Sequence, residues 1–215
     1  DRSPSRGLGD VYKRQNQCNA VIESLENNDI PGLDEDLKTR FLAESLFIRA
    51  HYFYHLVQQF GDIPMPLKPT NSVETTAHKT KVDEVWNQIV TDLEFAVENL
   101  PETYQASEFG HITKYAAMHH LSRVYLTLKR SDDDLKKALN YAEQVINSGK
   151  YSLVKSHAEL WDINNKNNSE VLFSVLYTQN AELNGDGNTA HMYFCSAYSE
   201  EHPAVKRVIE YGRPW

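Results

Sequence analysis

His51 and His55 stand four residues apart in the stretch AESLFIRAHYFYHLVQQFGDIPMP, residues 43–66. On a helix that spacing can chelate a metal ion. No glutamate follows His51 as it would in a zinc-peptidase motif, and Tyr52, Phe53 and Tyr54 fill the interval. Histidines serving packing or the surface are therefore the preferred reading, and no metal is assigned. His119 and His120 are adjacent, so they point to different sides of a helix and share no site. Asp132, Asp133 and Asp134 fall at a predicted helix start, where the helix dipole favours negative charge without any calcium ion. Asn184, Asp186 and Asn188 alternate oxygen ligands around glycines, but the bidentate glutamate of a calcium loop is out of register. A surface loop is the better reading. The chain carries no GxSxG, phosphate loop or dinucleotide fingerprint. No pair of carboxylates is marked out as acid and base. Catalytic residues, cofactors and metals are assigned to none of these positions, and an enzyme is not indicated.

The elements that would position such residues are mainly helical. A short helix is predicted around Ala20 to Glu26, then a loop rich in Asn, Asp, Pro and Gly at NNDIPGLDED. The long helix runs from about Asp36 to Phe60. Leu42, Leu46, Ala50, Phe53, Leu56 or Val57, and Phe60 line one face of it at three- and four-residue steps. Gly61 can close the helix in the left-handed region, and Pro64 cannot continue it. Residues 62–81 hold Pro64, Pro66 and Pro69 and read as a long loop. A capping box at Thr80 to Asp83 opens the next helix. Its apolar stripe is Val82, Val85, Trp86, Ile89, Val90, Leu93, Ala96, Val97 and Leu100, and Pro101 ends it. Thr113 opens a third helix with Ala117, Leu121, Val124 and Leu128 inward. Ser131 to Asp134 caps a fourth, with Leu135, Ala138, Leu139, Ala142, Val145 and Ile146 inward and Gly149 as terminator. These last two helices must pair as an antiparallel hairpin. Residues 151–154 and, more strongly, 170–177 read as strands. Residues 179–200 read as irregular surface.

Composition narrows the class. The chain has 215 residues, 40% hydrophobic and 24% charged, as in ordinary globular proteins. Its 22 Lys and Arg against 30 Asp and Glu give a net charge of −8, which disfavours nucleic acid and anionic membranes as partners. No run approaches the ~18 apolar residues of a membrane helix. Cys18 and Cys195 are too few for a disulfide framework, and two unpaired thiols are as good a reading as one bridge. No apolar signal segment precedes Cys18, so it is not read as a lipid-attachment site. Residues 1–15, DRSPSRGLGDVYKRQ, lack periodicity and are set aside as a non-native, adapter-derived segment. The ending EYGRPW stops in mid-phrase, so an internal fragment of a longer protein is expected.

Several phrases in order resemble the SusD/RagB family of nutrient-binding outer-membrane lipoproteins of Bacteroidota. They are Arg49-Ala50, Tyr52-Phe53-Tyr54, Leu56, Phe60-Gly61-Asp62 and Ile63-Pro64, followed by Thr113-Lys114-Tyr115-Ala116-Ala117. Ser122-Arg123-Val124-Tyr125-Leu126 comes next, then Ala138 to Ile146, Gly149 and Tyr151-Ser152-Leu153. Asn168-Ser169-Glu170-Val171-Leu172-Phe173 is similar to an Asn-x-Glu-hydrophobic strand of the family, and Tyr211-Gly212-Arg213-Pro214 to its Gly-Arg-Pro.

The resemblance implies a mainly α fold of tetratricopeptide-like helix pairs, incomplete here. Residues 16–150 would be the helical scaffold and 151–215 a loop-rich, slightly β portion. It implies a surface lipoprotein that captures an oligosaccharide, or less often a peptide, for a SusC-like TonB-dependent transporter, without covalent chemistry. Arg49, Gly61, Asp62 and Pro64 match family motifs and are expected to be structural. No ligand contact carries over from the motifs. If the fragment contributes to the ligand face, Trp161, Tyr193 and Tyr198 are the candidate stacking residues, although for each core packing is the preferred reading. A tetratricopeptide-type scaffold for protein partners is the competing function, and a glycoside hydrolase the third.

Overall fold

A computed structural model of the protein describes residues 5–72, 76, 78–162 and 164–176, with side chains from residue 12 onward. Residues up to Ser174 form one compact unit; Val175 begins a second, of which residues 175 and 176 are described. The helices are α1 (Ser5–Glu26), α2 (Glu35–Phe60), α3 (Val82–Asn99), α4 (Lys114–Leu128), α5 (Asp132–Asn147) and the single turn α6 (His157–Leu160). Each of α1 to α5 packs on its sequence neighbour, which makes a helical array of the expected tetratricopeptide-like kind.

The predicted periodicities account for the core. Ala50, Phe53, Leu56 and Val57 of α2 form one buried cluster with Val85, Ile89, Leu93 and Ala96 of α3; Leu46 is buried too, while Phe60 is exposed. Ala117, Leu121 and Val124 of α4 join the same cluster. The α4–α5 hairpin forms as expected: Lys129 turns the chain in the left-handed region, and the Ser122 hydroxyl donates to the Ala138 carbonyl at 2.7 Å. Ser131 caps α5, and in return the Asp134 carboxylate accepts the Arg130 N–H at 3.0 Å. Gly149 lies at φ +65°, past the helix end. On α5 Ala138 and Val145 are buried, whereas Leu139 and Ile146, expected inward, are exposed. The helix has α4 on one side, and its second apolar stripe faces out.

Three local readings change. α1 begins at Ser5 rather than near Ala20, and Tyr12 and the buried Gln15 pack within the fold. The Thr80 capping box does not form, because Lys81 sits at the N-cap of α3 without a side-chain bond. Asp62 does that work from the end of α2: its carboxylate accepts the Val82 N–H at 3.0 Å and pairs with the Lys81 ammonium at 2.9 Å. Beside it, Thr80 donates its N–H to the Ile63 carbonyl at 2.8 Å in an isolated antiparallel bridge. The base of the long loop is thereby pinched shut.

The third change concerns the strands: no strand forms among the described residues, 151–154 being irregular and 170–176 opening on a turn at Glu170 and a bend at Leu172. A strand needs a partner to take its backbone groups in a ladder, and here single backbone bonds, Ser152 N–H to the Ser169 carbonyl at 2.9 Å and Val171 N–H to the Asn168 carbonyl at 3.3 Å, are joined by side-chain bonds. Asn168 accepts the Glu170 N–H on its amide oxygen at 3.0 Å, and Glu170 accepts the Val154 N–H at 3.0 Å. Leu172 and Phe173 then pack onto the helical core rather than a sheet.

Arg49 shows why its motif is structural. It is buried and donates two bonds to buried Asp92 of α3, at 2.8 and 2.7 Å. Gln88 donates to the same carboxylate at 2.7 Å. Burial raises the Asp92 carboxyl above its usual range, against the pull of Arg49 and Gln88. Arg49 also donates to the Asn19 side-chain amide oxygen at 3.4 Å, and the Asn19 side-chain NH2 donates to the Pro66 and Lys68 backbone carbonyls at 2.7 and 3.3 Å. One guanidinium therefore ties α1, α2 and α3 together and, through Asn19, the long loop.

Candidate functional site

The site is built on the segment between α3 and α4. Pro101 ends the helical run, and the Lys114 N–H donates to its carbonyl at 2.8 Å, closing the loop at its base. Within it, the Tyr104 hydroxyl donates to the Glu44 carboxylate at 2.9 Å and to the Ile112 carbonyl at 3.1 Å. His111 Nδ1 meets the same carboxylate at 2.9 Å. The Tyr104 and His111 rings stack at 5.2 Å between centroids. Arg40 of α2 lies over the Tyr104 ring and pairs with Glu108 at 3.0 Å. Burial, and then the Glu44 carboxylate, pushes the Tyr104 phenol well above its usual range, so it stays a donor.

A 3-10 turn at Ala106–Glu108 and Gly110 at φ +107° flank Phe109. A side chain would strain at that glycine. Phe109 is held out of the core, 38% exposed.

Facing this loop are residues 150–151 and 167–174. Tyr151 bonds the Thr113 hydroxyl at 3.2 Å, and Lys150 pairs with Glu102 at 3.2 Å. Asn168, buried, donates to the Leu160 and Asn165 carbonyls and so ties its own loop down. Between the two walls lies an open cleft of about 440 Å³, lined by aromatic, amide and charged groups. Sites for small molecules occupy roughly 300–1,000 Å³.

Trp161 lies at the end of α6 and does not line this cleft. Ser156 caps α6, and the Glu159 side chain accepts the Lys155 N–H in return. The Trp161 indole donates to His157 Nε2 at 2.9 Å, which pins a ring that is 72% exposed. Tyr193 and Tyr198 lie outside the described residues, as do Asn184, Asp186, Asn188 and Cys195. Cys18 is a buried free thiol, pushed up to about 11 by burial.

The histidine pair is part of a larger cluster. His51 lies 4.6 Å from His55 and 5.2 Å from His120 of α4 between ring centroids. Phe47, Tyr54 and Phe173 pack edge-on around them. Burial first, then neighbouring His55 and Arg123, lowers His51 to about 4. Burial, with His51 and Arg123 after it, lowers His120 to about 3. Both are neutral at pH 7. Among the described residues, no group of three His, Cys, Asp or Glu is arranged to hold a metal ion.

Sequence spacing could find His51 with His55 but not His120, which arrives from a different helix. Nor did it mark the cleft: Glu44, Tyr104 and His111 belong to no motif. Their one signal was a Gly-bearing, aromatic-bearing interval between two well-capped helices.

The chain as a whole is similar to known proteins. The sequence model of a family described as SusD-like, starch-binding and associating with the outer membrane matches residues 8–126. SusD-like protein P25 of Formosa agariphila is 26% identical over 77% of the chain and 31% of its own length. A crystal structure of a SusD superfamily protein from Parabacteroides distasonis superposes with a TM-score of 0.77 at 25% identity, covering 89% of this chain and 41% of that one. A laminarin-binding SusD-like protein superposes with a TM-score of 0.72 at 28% identity, over 81% of this chain and 38% of that one. The chain spans 31% to 39% of the length of the curated relatives it matches.

Proposed function

The chain belongs to the SusD-like family, and from that membership we propose that it is part of a surface lipoprotein of the outer membrane that captures oligosaccharide. The captured sugar passes, without covalent chemistry, to a SusC-like TonB-dependent transporter. The observation that carries the reading is the likeness to a laminarin-binding SusD-like protein, at 28% identity and a TM-score of 0.72. Trp161, with Tyr193 and Tyr198, supplies aromatic faces for sugar rings. Support for Trp161 is its exposed ring, held in one orientation by His157. A pinned ring loses little freedom when a ligand stacks on it.

The test is to titrate the whole protein with laminarin and xyloglucan oligosaccharides while following product formation. Saturable binding, intact sugar and weaker binding by Trp161→Ala are expected, together with co-purification of a SusC-like barrel. Cleavage of the sugar, or no binding to a broad glycan array, overturns the reading.

A further inference from the structure

We infer that the cleft between the 101–113 loop and residues 150–151 and 167–174 is a saccharide subsite of its own, separate from Trp161 and suited to an uncharged sugar. The inference rests on the carbohydrate reading above and adds a place and a charge class to it.

Phe109 is the first reason. Other connecting segments of the chain also expose apolar residues, Ile30, Leu67 and Leu153 among them, but Phe109 stands on the wall of a cleft. This loop is not slack. Tyr104, His111 and Glu108 anchor it to Glu44 and Arg40 of α2, and its base is closed by the Pro101–Lys114 bond. So firmly held a loop still leaves Phe109 partly open to solvent on the cleft wall, with Phe173, about one-third exposed, also lining the cleft. Rigid loop aromatics beside a polar cleft offer flat faces to the C–H surfaces of a sugar ring, with the ordering cost met in folding.

The polar groups fit the same ligand. Gln105 and Asn167 line the cleft with exposed amides, each able to donate to and accept from hydroxyls. The basic side chains on the described lining are Lys150 and His111, and both are engaged, by Glu102 and Glu44. Glu108 is likewise held by Arg40. A carboxylated or sulfated sugar would meet carboxylates whose cations are taken; a neutral one meets amides and rings.

The experiment uses the whole protein and calorimetric titration with laminarin, xyloglucan and uronic-acid oligosaccharides. Phe109→Ala and Asn167→Ala should each weaken binding of a neutral oligosaccharide by about three- to tenfold, the range expected for one aromatic or polar contact. Phe60→Ala, an exposed aromatic outside the cleft, should leave it unchanged. Uronic-acid oligomers should bind more weakly than neutral ones. If Trp161→Ala abolishes binding while Phe109→Ala and Asn167→Ala leave it at the wild-type value, the subsite is wrong and the carbohydrate reading stands. If the wild-type protein binds no sugar, both fail. A marked loss of thermal stability in Phe109→Ala shows a packing residue and also overturns the subsite.

Discussion

Two regions of this chain use the same side-chain types to opposite ends. At the α1–α2–α3 junction, Arg49, Asp92, Gln88 and Asn19 are enclosed, and their bonds are made to one another and to backbone carbonyls. At the cleft, Glu44, Tyr104, Glu108 and Arg40 bond just as closely, but the groups they brace, Phe109 and the loop around it, stay exposed. The first network holds elements together. The second holds a surface still. Charge and polarity alone do not distinguish scaffold from site; the direction in which the network faces does.

The largest expected effect breaks the first network. Arg49→Met strands Asp92 in the core, so unfolding free energy should fall by about 3–5 kcal/mol, as for other broken buried pairs. A denaturant titration measures this. Replacing both partners with apolar residues should recover much of the loss, since the pair's desolvation is then removed too. A mild single-variant phenotype would mean that the junction is not the rigid element it is described as.

Acid should come next. His51 and His120 are held neutral by burial, at about 4 and about 3, below the ~6.5 of an unfolded histidine. Above pH 6.5 neither state binds these protons and stability is complete. As pH falls below 6.5 the unfolded chain takes them up first, so stability declines until the folded pKa values are reached. The loss between pH 6.5 and 4 should be on the order of a few kcal/mol. Thermal melts across that range should show it, with a shallower slope in His120→Phe. An unchanged slope would remove the cluster from the account.

Gly61→Ala is smaller. At φ +66° and ψ −118° the residue is in a region that side chains avoid, although a Cβ there would meet nothing within 4 Å. The cost is conformational, about 1–3 kcal/mol, and chemical denaturation reads it directly.

The smallest effects belong to the cleft side. Phe109→Ala and Trp161→Ala remove exposed rings and should change stability by no more than ~0.5 kcal/mol. Losses approaching that of Arg49→Met would erase the contrast between the two regions.

Much of the scaffold was legible in the sequence. Apolar steps of three and four placed α2 to α5 and most of their buried faces, because a helix repeats every 3.6 residues whatever surrounds it. Ser131 and Gly149 acted where read, since capping involves near neighbours only. Misreadings came where neighbours in space replaced neighbours in sequence. Thr80 lost its cap to Asp62, and the run from Glu170 lost its strand to a side-chain-bonded turn. Leu139 and Ile146 had the right spacing for burial but no helix against them among the described residues.

The site divides along the same line. Trp161 was a candidate on residue type alone, and the structure adds its pinned ring. The cleft was not foreseen, because Glu44, Tyr104 and His111 have no shared spacing and converge only through packing.

The sequence by itself determined α2 to α5, the caps at Thr113 and Ser131 and the family phrases, because each depends on residues within a turn or two of one another. Only the tertiary structure decided that Arg49 meets Asp92, that His120 joins His51, and that Phe109 remains beside a cleft. Those pairings span dozens of residues, and they form only when the helices have already chosen which faces to bury.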